Sequence, residues 1–497
     1  MNIQNKSGSL LVISLLMIIV FIALGIGLTA LSINEGMTAE RQRRTYQAFH
    51  IAEAGIERAI YDLRQDFIND SSSPSWADGD INTMAIGPDT VNFYNVPYSS
   101  TSLDSGNYAV SFKNVLNSGE AIWVQSTGAV GDATQTIEVY VKITNISIWD
   151  NAIFAGAGAA GAMINGNVNI RGSVHILGNG LDSSDYVVDL GGTADLIANN
   201  YGGLAASLLA KVPALPTTTF NGETVSTLNA ELRVKRGIVG LSGAATAGET
   251  NVAGNAVKET IDGSYVTDGF GGSQGTNSVH SDNGWSNGYD LGDAVTFPSL
   301  QDPYPGYSSY QNYLRANALI VNNAAQLTTL ANITPNSNFS YSDAKGTISM
   351  DGNGNLAISG IVYIEGGNLN MSKAGSKKTI TYTGSGSVLV TGNAQFNVNL
   401  VTSGNNSYPT NIIGIMTPNQ IGFDEANIDV MGLFYAEDRV TSQKQTDIMG
   451  TIVSNYFDMG TNVPSIFQVP EVMNHLPPGM IGGDPAWFMR VVMWKKQ

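Results

Sequence analysis

The chain of 497 residues contains no cysteine, so neither a disulfide nor a thiolate-bound metal can contribute to it. It is also poor in charge. Only 13% of its residues are Asp, Glu, Lys or Arg, and the formal balance is −17. Phosphate binding needs clustered Lys and Arg, so this balance argues against a nucleic-acid partner. Histidine is scarce: His50, His175, His280 and His475 lie far apart and lack metal-ligand spacing, which makes each a surface or packing residue. No P-loop is present, and no strand-to-helix nucleophile elbow is read. The most telling absence is local: residues 9 to 33 carry no charged side chain at all.

That run, from Ser9 through Leu31, is long enough to cross a bilayer, since a spanning helix needs about 20 apolar residues. It is too long for the 7–15-residue core of a cleavable secretory signal, and no Ala-x-Ala-like exit follows it. The helical pattern instead continues through Glu35 and Arg41 to Asn69, a rod of roughly 90 Å at ~1.5 Å per residue. Gly25 and Gly27 weaken the rod near the middle of its apolar part, where it can bend or unwind. Beyond Glu35 an apolar stripe is predicted at Tyr46, Phe49, Ala52, Ile56, Ile60, Leu63 and Phe67. Glu40 with Arg44, and Arg58 with Asp62, form i,i+4 pairs.

Over the whole chain Gly reaches 56 residues and hydrophobics 43%, a composition that leans to β structure, and Ser71-Ser72-Ser73-Pro74-Ser75 is a linker that ends the helix. Period-two segments at 108–112, 122–125 and 136–141 predict a small antiparallel sheet against the C-terminal half of the helix. From Asn151 short apolar groups alternate with Gly and Asn, and the texture returns at 355–364, 432–435 and 450–453. Such punctuated short strands predict a β-solenoid of stacked coils, with an irregular β-sandwich as the competing arrangement. The predicted class is α+β, mainly β, in this order: a leader at 1–8, a helix at 9–70, a small sheet region at 71–150, a solenoid-like domain at 151–180 and 346–470, and a tail strand at 471–497. Residues 181–345 are predicted to interrupt the solenoid as an insertion, with helical pieces near Leu204–Leu209 and from Tyr310 to Leu330. The aromatic and glycine-rich loops of 240–310 are the candidates for contacts with a surface ligand.

The start resembles the N-terminal region of the PilX-like minor pilins. The resemblance rests on Gly8, the apolar helix, the Arg41-Gln42-Arg43-Arg44 cluster and Ala52-Glu53-Ala54-Gly55-Ile56-Glu57, and covers about the first 65 residues. It implies a structural subunit of a type IV pilus or related filament, not an enzyme. A prepilin peptidase would cut after Gly8 and methylate Ser9. The helix would wait in the inner membrane, meet the assembly platform, and then bundle with other pilin subunits in an extracellular filament. Ser9 replaces the usual Phe or Met, and Ile13 stands at the fifth mature position, where major pilins carry Glu. Lacking that carboxylate and bearing bulky domains, the subunit suits an initiating, capping or decorating place. Counting basic residues alone puts the domains after Arg41 in the cytoplasm; the resemblance puts them outside.

Two other chemistries are weighed. Asp351 opens an Asp-Gly-Asn-Gly-Asn run that resembles the start of a calcium loop but has no Glu at the twelfth position, so an ordinary turn is expected. Asp282, Asn283, Asn287, Asp290 and Asp293 supply oxygens for calcium in one loop, where solvated polarity is the simpler reading. No cofactor is otherwise implied. Asp424, Glu425, Asp429, Glu437 and Asp438 are the carboxylates that a polysaccharide-active solenoid enzyme would use, and an adhesin on an uncut membrane anchor is a further alternative.

Overall fold

The computed structural model describes residues 6–69, 80–81, 84–85, 92–95, 101–115, 118–159, 168–180, 186–192, 194–220, 223–228, 230–234, 238–241, 245–247, 260–262, 270–272, 278–280, 296–442, 444–459, 464–482 and 486–496. The chain is α+β: one long N-terminal helix is followed by mainly β structure arranged in sheets. It divides into two compact units, residues 1–144 with 487–497, and residues 145–486.

In the first unit the helix Lys6–Asn69 is unbroken, about 96 Å long at ~1.5 Å per residue. Gly25 and Gly27 do not interrupt it. Its C-terminal half lies on an antiparallel sheet built from Gly106–Val115, Ser118–Val130 and Ala133–Ile146, with Ala486–Lys496 beside the last of these. The tail strand therefore belongs to the same sheet as the strands that follow the helix. Alternate residues of each strand point at the helix, so Val110, Phe112, Ile122, Val124, Ile137, Val139 and Val141 are buried.

The helix face that meets them keeps Ala52, Ile56, Ile60 and Leu63 of the predicted stripe and departs from it at Tyr46 and Phe49, while the Phe67 side chain lies outside the described residues. Ala48, Ile51, Ala52, Ile56, Ala59, Ile60 and Leu63 are buried, while Tyr46 is 69% exposed and Phe49 is only partly covered. The reason is steric. At Gly128 an added methyl would stand 2.1 Å from the Ala48 carbonyl oxygen and 2.5 Å from the Ala52 nitrogen. At Gly55 it would meet Ser126 Oγ at 2.2 Å and the Tyr108 ring at 3.0 Å. Helix and strand approach backbone to backbone, so the contact line selects small residues and pushes the large ones to its flanks. Each buried Ile or Leu there contributes about 1.5–3 kcal/mol. Both i,i+4 pairs form, Arg44 Nε to Glu40 at 3.0 Å and Arg58 Nε to Asp62 at 2.8 Å. Arg44 also reaches Asp132, at 3.1 Å, in the turn between two sheet strands.

The second unit is a long run of parallel pairings. Leu319–Val321 pairs with Asn355–Ile364, which pairs with Ser385–Val390, then Ile412–Thr417, Ile428–Thr441 and Thr446–Asp458. The last of these pairs in parallel with Ile153–Ala159, and the ladder continues through Val174–Ile176, Glu231–Val234 and Thr260–Asp262. In register, Leu319, Val362, Val388, Ile415, Phe434, Ile452, Ile153, Val174, Leu232 and Ile261 form one apolar column. Neighbouring ladders run beside it, for example Leu369–Ser372 on Ala394–Asn397 and Thr379–Thr383 on Asn399–Thr402.

This corrects the predicted insertion at 181–345. Strands Asp195–Ala198, Glu231–Val234 and Thr260–Asp262 continue the ladders of 151–180 and do not interrupt them. The helical piece predicted from Tyr310 to Leu330 is two helices, Tyr310–Asn317 and Ala324–Leu330, around the strand Leu319–Val321, and the earlier one shrinks to Ala206–Leu209.

Gly128→Ala should destabilise the first unit by about 1–3 kcal/mol, the usual cost of overpacking a tight contact. Gly36→Ala, whose methyl meets nothing within 4 Å, should stabilise it by about 0.5–1 kcal/mol through helix propensity. Chemical denaturation of the detergent-solubilised protein, followed by tryptophan fluorescence, compares the two. Equal midpoints would refute the close-approach account.

Candidate functional site

Two stretches of the first helix behave oppositely. From Leu10 to Ile33 the large apolar side chains are between 49% (Val20) and 73% (Leu11) exposed, on every face. From Ala48 to Leu63 one face is closed by the sheet. The bare part has a mean hydropathy of 3.0 over its best window, and among the described residues this is the one helix long and apolar enough to cross a membrane. Two of its few polar side chains bond within the helix: Ser14 Oγ donates to the Leu11 carbonyl at 2.9 Å and Thr29 Oγ1 to the Gly25 carbonyl at 2.7 Å. In hydrocarbon such internal pairing removes the cost of an unmet hydroxyl.

Gly8 and Ser9 lie in the first turns of this helix, which starts at Lys6. Ile13 is 56% exposed among other aliphatic residues, so the position is apolar and open. Past the bare part, Arg43 takes Glu40 by two hydrogen bonds of 2.7 and 2.8 Å, and Arg44 shares it. The basic cluster is thus partly neutralised by its own helix and by Asp132.

The possible calcium ligands fare unequally. Asp282, Asp290 and Asp293, with Asn283 and Asn287, lie outside the described residues. Asp351 turns its carboxylate onto its own loop: it accepts from the amides of Asn353 (2.7 Å) and Asn355 (3.1 Å) and from Asn355 Nδ2 (2.7 Å). Those hydrogen bonds hold its pKa down at about 2. Among the described residues no group of three or more His, Asp or Glu is placed to hold a metal ion. Of the histidines, His175 is buried against Phe154, His50 pairs with Glu53, and His475 meets the Glu471 carbonyl. The letters G-x-S-x-G occur at 271–275 and 284–288, with Ser273 and Ser286 outside the described residues.

Most of the carboxylates considered for glycan chemistry are fasteners. Asp424 accepts from Gln395 (2.7 Å), Glu425 pairs with Lys373 (3.0 Å), Asp438 accepts from Gln420 (2.9 Å), and Ser299 donates to Glu437. Asp429 is different. It stands in register with Asp447 on the next strand, a residue the sequence reading passed over. The signal was present as Asp429-Val430-Met431-Gly432 and Asp447-Ile448-Met449-Gly450, one coil apart. Partial burial raises both carboxyl groups. For Asp447, burial and then the charge of Asp429 push the pKa up to about 6, against a weaker opposing hydrogen bond from Ser465.

No protein-family profile matches the chain, and no curated protein matches it. Among solved structures, the crystal structure of the competence-associated pilin ComZ from Thermus thermophilus resembles it with a TM-score of 0.50 and 19% sequence identity, covering 91% of this chain and 97% of that one. At that identity the likeness is one of fold: a long N-terminal helix followed by mainly β structure.

The Asp429–Asp447 pair has a definite pH signature. A folded-state pKa above the ordinary 3.8 means the carboxyl contributes most to stability when protonated, and this contribution disappears as pH rises through about 6. Stability should therefore fall between about pH 4 and pH 7, and Asp447→Asn should flatten that fall and raise the unfolding midpoint at pH 7.5. Thermal unfolding across this range is the check. A variant with the wild-type slope would refute the assignment.

Proposed function

We propose that this chain is a PilX-like minor pilin, a structural subunit that initiates, caps or decorates a type IV pilus or related filament. The observation that carries the reading is the division of the first helix. Its length from Leu10 to Ile33 is bare on all sides, while its continuation is anchored to a sheet. A bare apolar rod rigidly fixed to a globular unit suits two successive environments, a bilayer and then a bundle of similar rods. Cleavage after Gly8 by a prepilin peptidase, with methylation at Ser9, would free the helix for that exchange. The partners are the inner-membrane assembly platform and other pilin subunits, met through the helix. The protein waits in the inner membrane and ends in an extracellular filament or at the cell surface.

Ile13 gives the reading its finer point. A subunit with an aliphatic side chain there has no carboxylate to offer to a neighbour's amino terminus, which favours an end or a sparse position over the filament shaft. We read the stacked parallel ladders of residues 145–486 as an irregular β-solenoid carried outward by the helix, and its role as non-enzymatic. The partners already engaging Asp424, Glu425, Glu437 and Asp438 support that role.

Mass spectrometry of the protein recovered from sheared surface filaments tests this directly. The expected mature chain starts at a methylated Ser9, and Gly8→Val leaves the leader attached and the protein in the membrane fraction. Native protein that keeps Met1 and never leaves the membrane fraction sinks the proposal in favour of a plain anchor.

A further inference from the structure

Residues 300–317 carry four tyrosines three apart: Tyr304, Tyr307, Tyr310 and Tyr313. Two local devices gather their rings. Tyr304-Pro305-Gly306-Tyr307 is a tight turn in which the Tyr307 amide donates to the Tyr304 carbonyl at 2.8 Å. Pro305 presets its φ, and Gly306 takes a φ of 83°, the left-handed position that such a turn needs. The first and last residues of the turn therefore stand side by side. Ser309 then caps the helix Tyr310–Asn317, accepting from the Asn312 amide at 3.2 Å, and the spacing of three brings Tyr310 and Tyr313 to one face. The Tyr310 and Gln311 amides donate to the carbonyls of Asp302 and Leu300, both at 2.8 Å, and fasten helix to turn.

The rings form one contiguous group. Tyr304 lies with its centroid 4.3 Å from Tyr313 and 5.1 Å from Tyr310, and Tyr313 is 5.5 Å from both Tyr307 and Tyr310. Tyr307 is 38% exposed and the other three are half-buried. The group is held open at the surface by a turn and a capped helix, so little ordering cost remains to be met on binding.

Its border decides what it fits. Gln301 and Gln311 are joined by a 2.7 Å hydrogen bond, and the Asp302 carboxylate lies beside them in the chain. The adjacent cations are occupied: Glu365 holds Arg315 by two bonds of 2.8 and 3.1 Å, and Lys345 Nζ donates to the Ala316 carbonyl at 2.6 Å. A polyanion meets the Asp302 carboxylate there and an Arg315 already neutralised by Glu365, while Lys345 keeps its charge on a neutral carbonyl. Gln311 Nε2 also donates to the Tyr363 hydroxyl at 2.8 Å and the Tyr310 hydroxyl to the Met480 carbonyl at 3.1 Å, so a hydrocarbon chain would dehydrate only the polar capacity these bonds leave over. An uncharged, polyhydroxylated chain satisfies both, with C–H faces on aromatic rings and hydroxyls on amides and carboxylate. We propose that this tyrosine platform binds a neutral polysaccharide.

The test uses the full-length protein in detergent, titrated calorimetrically with cellohexaose and mannohexaose. At least one should bind, Tyr307→Ala should weaken it about tenfold, and Tyr307→Phe, which keeps the ring, should stay within about threefold. The proposal is overturned if neither sugar binds up to about 10 mM. It is overturned equally if Tyr307→Ala leaves the affinity unchanged, or if a single-stranded DNA dodecamer binds and that binding is lost in the same variant. The platform lies wholly within residues 300–317, so these results are independent of how the first helix is processed.

Discussion

Backbone meets backbone where Gly128 of the sheet faces Ala48 and Ala52 of the first helix. Everything else in the first unit is arranged around that contact. It requires small residues along one line of the helix, so Ala48, Ala52, Gly55 and Ala59 occupy it and Ile51, Ile56, Ile60 and Leu63 close its sides. It also fixes where packing ends. Beyond the Arg44–Asp132 pair the helix has no cover among the described residues, and its apolar surface is left for another environment. A helix held less tightly would transmit little of any pull along its axis to the sheet. A helix held over its whole length would have no surface left to share.

Much of this was legible. A charge-free run of 25 residues has few physical readings, and the period-two segments at 108–112, 122–125 and 136–141 lie in strands of the sheet. The motif Ala52-Glu53-Ala54-Gly55-Ile56-Glu57 was recognisable, yet its reason was not. Only the sheet explains why Gly55 faces inward and why Tyr46, at helical spacing from Phe49, does not join the core. The alternation of Gly, Asn and strand formers marked the second unit. The order of its strands was hidden, because parallel partners are distant in sequence and the coils differ in length. Val362 and Val388 are 26 residues apart, Phe434 and Ile452 only 18. The same irregularity concealed Asp447 beside Asp429, and it made residues 195–262 read as an interruption.

The sparse cations are spent as fasteners. Arg44 ties helix to turn, Arg58 holds the buried Asp62, Arg315 is clamped by Glu365, and Lys373 joins Glu425. With 24 basic against 41 acidic residues, the net charge of −17 disfavours an anionic partner. The tyrosines of 304–313 gather aromatic surface in one place.

The ladder of the second unit has its seam in an unusual place. Ile153 near its N-terminal edge is in register with Ile452 near its C-terminal edge, and the strands made between them extend outward on both sides of that seam. A ribosome delivers the early strands long before their partner exists, so the ladder has high contact order and remains open at its middle until Thr446–Asp458 arrives. That strand is then a keystone. Synthesis must run nearly to completion before the unit can lock, and a nascent chain halted part-way leaves an unsealed β edge behind it.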